Sequence, residues 1–102
     1  MKNGLYKCNV ERTYRAFDGD IIHQNCGDIV VIVKDSPKSI LLNLVKNTVK
    51  YDAPQIEDMF QYTNTVRIKK GGSKHAVYDY GNNSFTLYPY RVGVPYYFEL
   101  ME

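Results

Sequence analysis

The sequence predicts a small, mainly β domain with a minor helical part: an antiparallel, barrel-like curled sheet and one short helix near residues 53–62. Three observations favour this class. The run from Ile29 to Val33 is β-branched throughout, which suits a pleated, buried strand. Gly71-Gly72 and Asn82-Asn83 separate short apolar segments and are fit for hairpin turns. Ten of the 102 residues are tyrosine and none is tryptophan, a composition that suits half-buried sheet surfaces.

Length and composition favour one globular domain over residues 1–102. The hydrophobic fraction of 44% argues against disorder, and the formal net charge of +2 is too small to indicate nucleic acid or membrane by itself. Two cysteines, Cys8 and Cys26, are fewer than a disulfide scaffold needs, so we expect buried free thiols. The segment after Met1 lacks the apolar core of a signal peptide, and we therefore expect a cytoplasmic protein.

The first half of the chain alternates short strands with turns. Leu5 to Val10 is a predicted strand, and the polar residues 11–15 lead from it to a turn at Phe17–Asp20, where Asp-Gly tolerates positive φ. Ile21 and Ile22 form a short predicted strand before a second predicted turn at Asn25–Asp28. The strongest predicted strand then runs from Asp28 to Lys34.

Residues 39–50 fit two structures. Ser36 and Pro37 can start a helix, with polar residues at helical spacing after them. In the alternative hairpin, Ser39 to Val45 is one strand, Lys46-Asn47 the turn and Thr48 to Tyr51 the return strand. The hairpin would place Ile40, Leu42 and Leu44 on one face, and we favour it.

The second half predicts a helix followed by strands. Asp52 can cap a helix over residues 53–62 that carries Pro54 in its first turn. Predicted strands follow at 65–70, 75–80, 84–90 and 96–101. A tight turn at Asn82-Asn83 sets Tyr80 opposite Phe85 and Tyr78 opposite Leu87. A tight turn at Gly71-Gly72 likewise sets Lys69 opposite Lys74 and Arg67 opposite Ala76.

The sharpest candidate site is an aromatic and basic face on these last strands. Basic side chains can follow a phosphate backbone while tyrosine rings stack on bases, and the same residue types are favoured where proteins dock. The predicted binding residues are Arg67, Lys69, Lys74, Tyr78, Tyr80, Phe85, Tyr88 and Tyr90.

Metal and catalytic motifs are weak in this sequence. His23 and Cys26 form the only close pair of zinc-type ligands, without the paired knuckles of a structural zinc site. Asp18, Asp20 and Asp28 lack the spacing of a calcium loop, and turn formation accounts for them. We therefore expect no catalytic residue, no metal and no cofactor, and a protein that is not an enzyme.

Two functions fit these observations. The first is a non-enzymatic module, monomeric or homodimeric, that docks an aromatic-rich surface on a larger protein and does not bind a membrane. The alternative is a small β-barrel that binds nucleic acid through the basic and aromatic face. Residues with AT-rich codons, namely Asn, Lys, Ile, Tyr and Phe, supply 38 of 102 positions, which fits a phage-encoded accessory or inhibitor protein.

Overall fold

The structure is a computed structural model. It describes residues 1–50, 60, 63–71, 76–81, 83–89 and 95–102, and only the backbone of 76–80 and 89. Every regular element within these residues is a β-strand, which confirms the predicted mainly β class. The strands are β1 (Gly4–Arg15), β2 (Ile21–Asp35), β3 (Ser39–Asn47), β4 (Thr65–Lys69), β5 (Ala76–Gly81), β6 (Ser84–Pro89) and β7 (Tyr96–Leu100). The predicted helix near 53–62 lies outside the described residues except for Phe60, which is in a turn.

The strands form one antiparallel sheet in the order β4-β3-β2-β1-β7-β6-β5, so β4 and β5 are its two edges. Seven strands laid flat separate their edges by about 29 Å. Only seven peptide units join Lys69 to Ala76, and a chain of that length spans at most about 25 Å. The sheet therefore curls into a half-barrel, as the sequence predicted.

The concave side of the sheet holds the hydrophobic core. Alternate residues of the strands with described side chains point into it, from Ile68 on the edge strand β4 across to Leu87 on β6. Phe60, which precedes β4, packs into the same cluster. The core residues on the central strands are Tyr6, Cys8, Ile29, Val31, Val33, Ile40, Leu42, Phe85, Tyr96 and Phe98. Among the described side chains, one continuous core therefore extends from β4 to β6.

The region around β3 differs from both structures that the sequence allowed. Ser39–Asn47 is a single strand rather than a helix, and its residues Ile40 and Leu42 share the buried face as predicted. The predicted return strand after Lys46-Asn47 is wrong within the described residues. Thr48 and Lys50 instead donate backbone hydrogen bonds to Asp28 and Cys26, each at 2.9 Å, so the chain continues alongside β2.

Of the two hairpins predicted in the C-terminal half, the one at Asn82-Asn83 is confirmed. Tyr78 pairs with Leu87 and Tyr80 with Phe85, and Asn83 has a positive φ of 55° that this tight turn requires. The hairpin across Gly71-Gly72 is wrong in the described part of the chain. Arg67 pairs with Leu41 of β3, and Ala76 pairs with Pro89 of β6. Gly71 and Gly72 therefore follow β4 without pairing it to β5.

An ion pair ties the end of β2 to the end of β4. The Lys70 ammonium lies 2.6 Å from the Asp35 carboxylate, which also contacts the Met1 α-ammonium at 3.3 Å. The hydrogen bond from Lys70 lowers the pKa of Asp35 below its ordinary value, against the opposing effect of burial. Because the folded pKa is depressed, the stabilisation is present at neutral pH and is lost as pH falls through that lower pKa.

Asp35→Asn is therefore expected to lower the free energy of unfolding at pH 7 by about 1 kcal/mol. The difference from the unchanged protein should shrink towards zero when both are unfolded in urea near pH 2.5. Glu102→Gln, at an exposed carboxylate, serves as the control and should change little at either pH. An Asp35→Asn loss of equal size at both pH values would contradict the ion-pair assignment.

Candidate functional site

The most prominent surface feature is a two-stranded arm formed by residues 11–25. β7 pairs with β1 only at Tyr6 and Lys7, and β3 pairs with β2 only from Ile29 onward. Between these points β1 and β2 have only each other as neighbours among the described strands. The arm accounts for the elongated shape of the molecule, whose principal extents are 51, 31 and 25 Å.

A tight turn closes the tip of the arm. Gly19 N–H donates to the Ala16 carbonyl at 2.9 Å, and Ala16 N–H donates to the Asp20 carbonyl at 2.7 Å. Gly19 adopts a φ of +93°, and the Asp18 carboxylate accepts a bond from Asp20 N–H at 3.1 Å. This is the three-residue hairpin loop in which a type I turn precedes a left-handed glycine. The predicted Asp-Gly turn is thus confirmed, and it holds Phe17 at the tip.

A β-bulge at the base of the arm replaces the predicted turn at Asn25–Asp28. Val10 pairs with Gly27, but Glu11 pairs with Asn25, so Cys26 is an extra residue in β2. Gly27 takes a φ of +126° there. Glycine and asparagine are common in bulges as well as in turns, so these residues do not distinguish the predicted turn from the observed bulge. A bulge bends its strand and increases the local twist, so this one sets the direction of the arm.

The arm exposes apolar side chains together with charged ones. Phe17 has a relative exposure of 111%, so its ring contacts essentially nothing in the monomer. Tyr14, Ile21 and Ile22 are also exposed. The Arg12 guanidinium lies 4.7 Å from the centre of the Tyr14 ring, and Thr13 bonds to His23 across the strands at 3.2 Å. Apolar, aromatic and polar groups thus alternate on a protruding ribbon.

A cleft lies beside the base of the arm, where β1 and β7 diverge. Its volume is about 290 Å³. It is lined by Cys8, Asn9, Val10, Glu11, Pro95, Tyr96 and Tyr97. Val10, Pro95 and the two tyrosines give it an apolar wall, and Glu11 lies at the start of the arm. The cleft therefore adjoins the arm directly, because Glu11 belongs to both.

The described residues of the predicted aromatic and basic face do not lie on a single surface. Arg67 and Lys69 are exposed on β4 and flank the buried Ile68, so they point to the convex side. Phe85 is buried in the concave core, and Tyr88 on the same strand is exposed on the convex side. Four strands, β3, β2, β1 and β7, moreover lie between β4 and β6 in the sheet. Lys74, Tyr90 and the side chains of Tyr78 and Tyr80 lie outside what the structure describes.

The two cysteines are buried free thiols, as predicted. Burial raises the pKa of Cys8 to about 11, so its thiol is protonated at neutral pH and is a poor nucleophile. Among the described residues, no three His, Cys, Asp or Glu side chains are close enough together to hold a metal ion. His23 contacts Thr13 on the arm, and it is exposed there.

Comparison with protein-family models, with curated proteins and with solved structures finds no match to this chain. Among the described residues, no helix has the length and hydropathy to cross a membrane.

Sequence reasoning did not single out the arm as a site. The sequence predicts the turn at its tip, but residues 11–15 lack an apolar face and therefore indicate a polar connection. A ribbon outside the core has no buried side, so the alternation that identifies a strand is weak. The available signal was the placement of Phe17 at the turn and of two isoleucines directly after it.

Proposed function

We propose that the protein is a non-enzymatic protein-binding module that engages a larger partner through the arm. The observation that carries this proposal is the exposure of four large apolar side chains on one projecting hairpin, namely Tyr14, Phe17, Ile21 and Ile22. Tyr14 and Ile22 are paired directly across the two strands, and exposed apolar surface of this kind marks interaction sites in soluble proteins. Tyrosine and arginine, which the arm also carries, are the residue types that dominate binding energy at protein interfaces.

The physical chemistry of a two-stranded ribbon supports binding as its role. A lone hairpin is at best marginally stable in water, because it has no core to cover its apolar side chains. Contact with another protein covers these side chains. The hydrogen bonds of the tip turn and the bulge at the base fix the conformation in advance, which lowers the entropy cost of docking.

The charge of the arm favours protein over nucleic acid as the ligand. Arg12 and Arg15 are balanced by Glu11, Asp18 and Asp20. Binding to a phosphate backbone depends on an excess of positive charge, and the arm has none. An interface between proteins tolerates such a mixture, with the charged groups around an apolar centre.

Within this proposal the chain acts as a small accessory or inhibitor protein, encoded by a phage and working in the cytoplasm. Its support is the length of 102 residues and the high content of residues with AT-rich codons. Under this proposal the protein catalyses no reaction, and it acts by binding a larger protein, which it thereby blocks or recruits.

A matched pair of variants tests the role of the arm. Ile21 on the arm and Val45 on β3 are exposed aliphatic residues on strands, with relative exposures of 60% and 54%. The tagged protein is used as bait in an extract of its source cells, and the captured proteins are quantified by mass spectrometry. Ile21→Asp is expected to reduce capture of the specific partner at least about tenfold. The substitution places a charge where the complex would bury an apolar side chain. Val45→Asp should leave capture unchanged.

The proposal fails if Ile21→Asp captures the same proteins as the unchanged chain. It also fails if both variants lose the partner equally, because the effect would then come from general destabilisation. Circular dichroism of both variants checks that the sheet is intact before capture is compared.

A further inference from the structure

We propose that two copies of this chain pair through their arms. The outer edge of β1 in one arm forms an antiparallel ladder with the same edge of the second copy, centred on Thr13. Phe17 of each copy then enters the cleft between β1 and β7 of the other. This inference rests on the proposed function, because it takes the arm as a binding element. It adds that the arm binds a second copy of this chain.

The backbone of the arm has the hydrogen-bonding groups for such a ladder. Ala16 N–H bonds to the Asp20 carbonyl, so this residue directs its polar groups towards β2. Successive residues of an antiparallel strand direct these groups alternately to its two sides. The outward-directed residues are therefore Glu11, Thr13 and Arg15. No described strand covers this edge beyond Lys7, and an open edge is a template for pairing with another chain.

The side chains of the arm are self-complementary in one symmetric register. A two-fold axis at Thr13 sets Glu11 of one copy directly opposite Arg15 of the other, and symmetry repeats this ion pair. Thr13 faces its own counterpart, which is a favourable cross-strand pair. On the other face Arg12 lies opposite Tyr14, an arrangement suited to a cation–π contact.

The other symmetric registers are poorer. An axis at Glu11, Arg12 or Arg15 sets two like charges directly opposite each other, which destabilises a sheet. An axis at Tyr14 avoids this repulsion but leaves Glu11 opposite Phe17, without an ion pair. Charge therefore selects the register centred on Thr13.

The same register brings Phe17 to the cleft. With Thr13 on the axis, Phe17 of the second copy falls beside Asn9, which lines the cleft where β1 and β7 diverge. The cleft volume of about 290 Å³ exceeds the roughly 150 Å³ in which a benzene ring binds to a protein cavity. Pro95 and Tyr97, which are both exposed beside the cleft, supply apolar contacts for the ring. Phe17 is thus exposed in the monomer and covered in the pair.

Pairing of the arms leaves the β2 side of each arm available to the larger partner. The two β1 strands lie at the centre of a four-stranded ribbon, and the β2 strands with Ile21 form its outer sides. A substitution at Ile21 therefore acts on capture of the larger partner and leaves the contact between copies unchanged.

Charge reversal tests this pairing in the full chain. The mass of the unchanged protein is measured by sedimentation velocity from 1 to 100 μM, and a dimer is expected. E11R and R15E should each weaken dimerisation by about tenfold or more, because both symmetric ion pairs become repulsive. An equimolar mixture of E11R and R15E should restore the dimer, because opposite charges then face each other at both positions. Circular dichroism confirms that each variant remains folded.

A monomeric unchanged protein at 100 μM would overturn the pairing, and so would a dimer that neither charge reversal affects. Capture of a partner that depends on Ile21 would still support the proposed function in that case. Conversely, a dimer rescued by the mixture, together with Ile21-independent capture, supports the pairing and refutes the larger partner at the arm.

Discussion

Phe98→Ala is expected to lower the free energy of unfolding by about 4 kcal/mol. Phe98 is fully buried at the centre of β7, and its ring stacks on Phe85 at 4.8 Å between centroids and 6° between planes. Truncation removes this stacking and leaves a cavity where β7 joins the two halves of the curled sheet. Small domains are stable by only about 5–15 kcal/mol in total, so the variant should be close to unfolding at 37 °C. Urea unfolding followed by circular dichroism measures the loss.

Tyr88→Ala is the matched control for this prediction. Tyr88 is an aromatic residue on the adjacent strand β6, and it is exposed. Its truncation should cost about 1 kcal/mol or less. Equal losses at both positions would contradict the assignment of Phe98 to the core and Tyr88 to the surface.

The C-terminal strands could be predicted from the sequence because their determinants are local. Tyr96 and Phe98 alternate with exposed residues, and their alternation gives both the strand and its buried face. The turn before Ser84 has residues that accept positive φ, and this fixes the register of β5 and β6. Strand alternation and turn-forming residues act over only a few positions, so both can be recognised in a single sequence.

The order of the strands could not be predicted in the same way. Gly71-Gly72 has the composition of a hairpin turn, but β4 takes β3 as its neighbour because Ile68 completes the apolar surface beside Ile40. β5 lies at the opposite edge. The neighbour that a strand takes in the sheet depends on apolar contacts between residues far apart in the sequence. Turn-forming residues carry no information about these contacts. The predicted joint face of Arg67 and Phe85 failed for this reason.

Gly27→Ala is expected to lower the free energy of unfolding by at least about 3 kcal/mol, because two separate costs add. Gly27 has a φ of +126°, which side chains rarely adopt, and such backbone strain costs about 1–3 kcal/mol. A Cβ atom there would also lie 2.4 Å from the Thr48 carbonyl oxygen and 2.9 Å from the Val49 nitrogen. These are backbone atoms, so relief requires the segment after β3 to move away from β2.

Gly19→Ala separates these two costs. Gly19 at the arm tip also has a positive φ, but an added Cβ would meet no atom within 4 Å, so only the strain of about 1–2 kcal/mol remains. Urea unfolding of both variants should therefore show a clearly larger loss for Gly27→Ala. Equal losses would mean that the chain after β3 does not pack against the bulge. That contact and the bulge together set the direction of the arm, so Gly27→Ala should also weaken dimerisation measured by sedimentation. A dimer that Gly27→Ala leaves unchanged would mean that the arm hinges freely at its base.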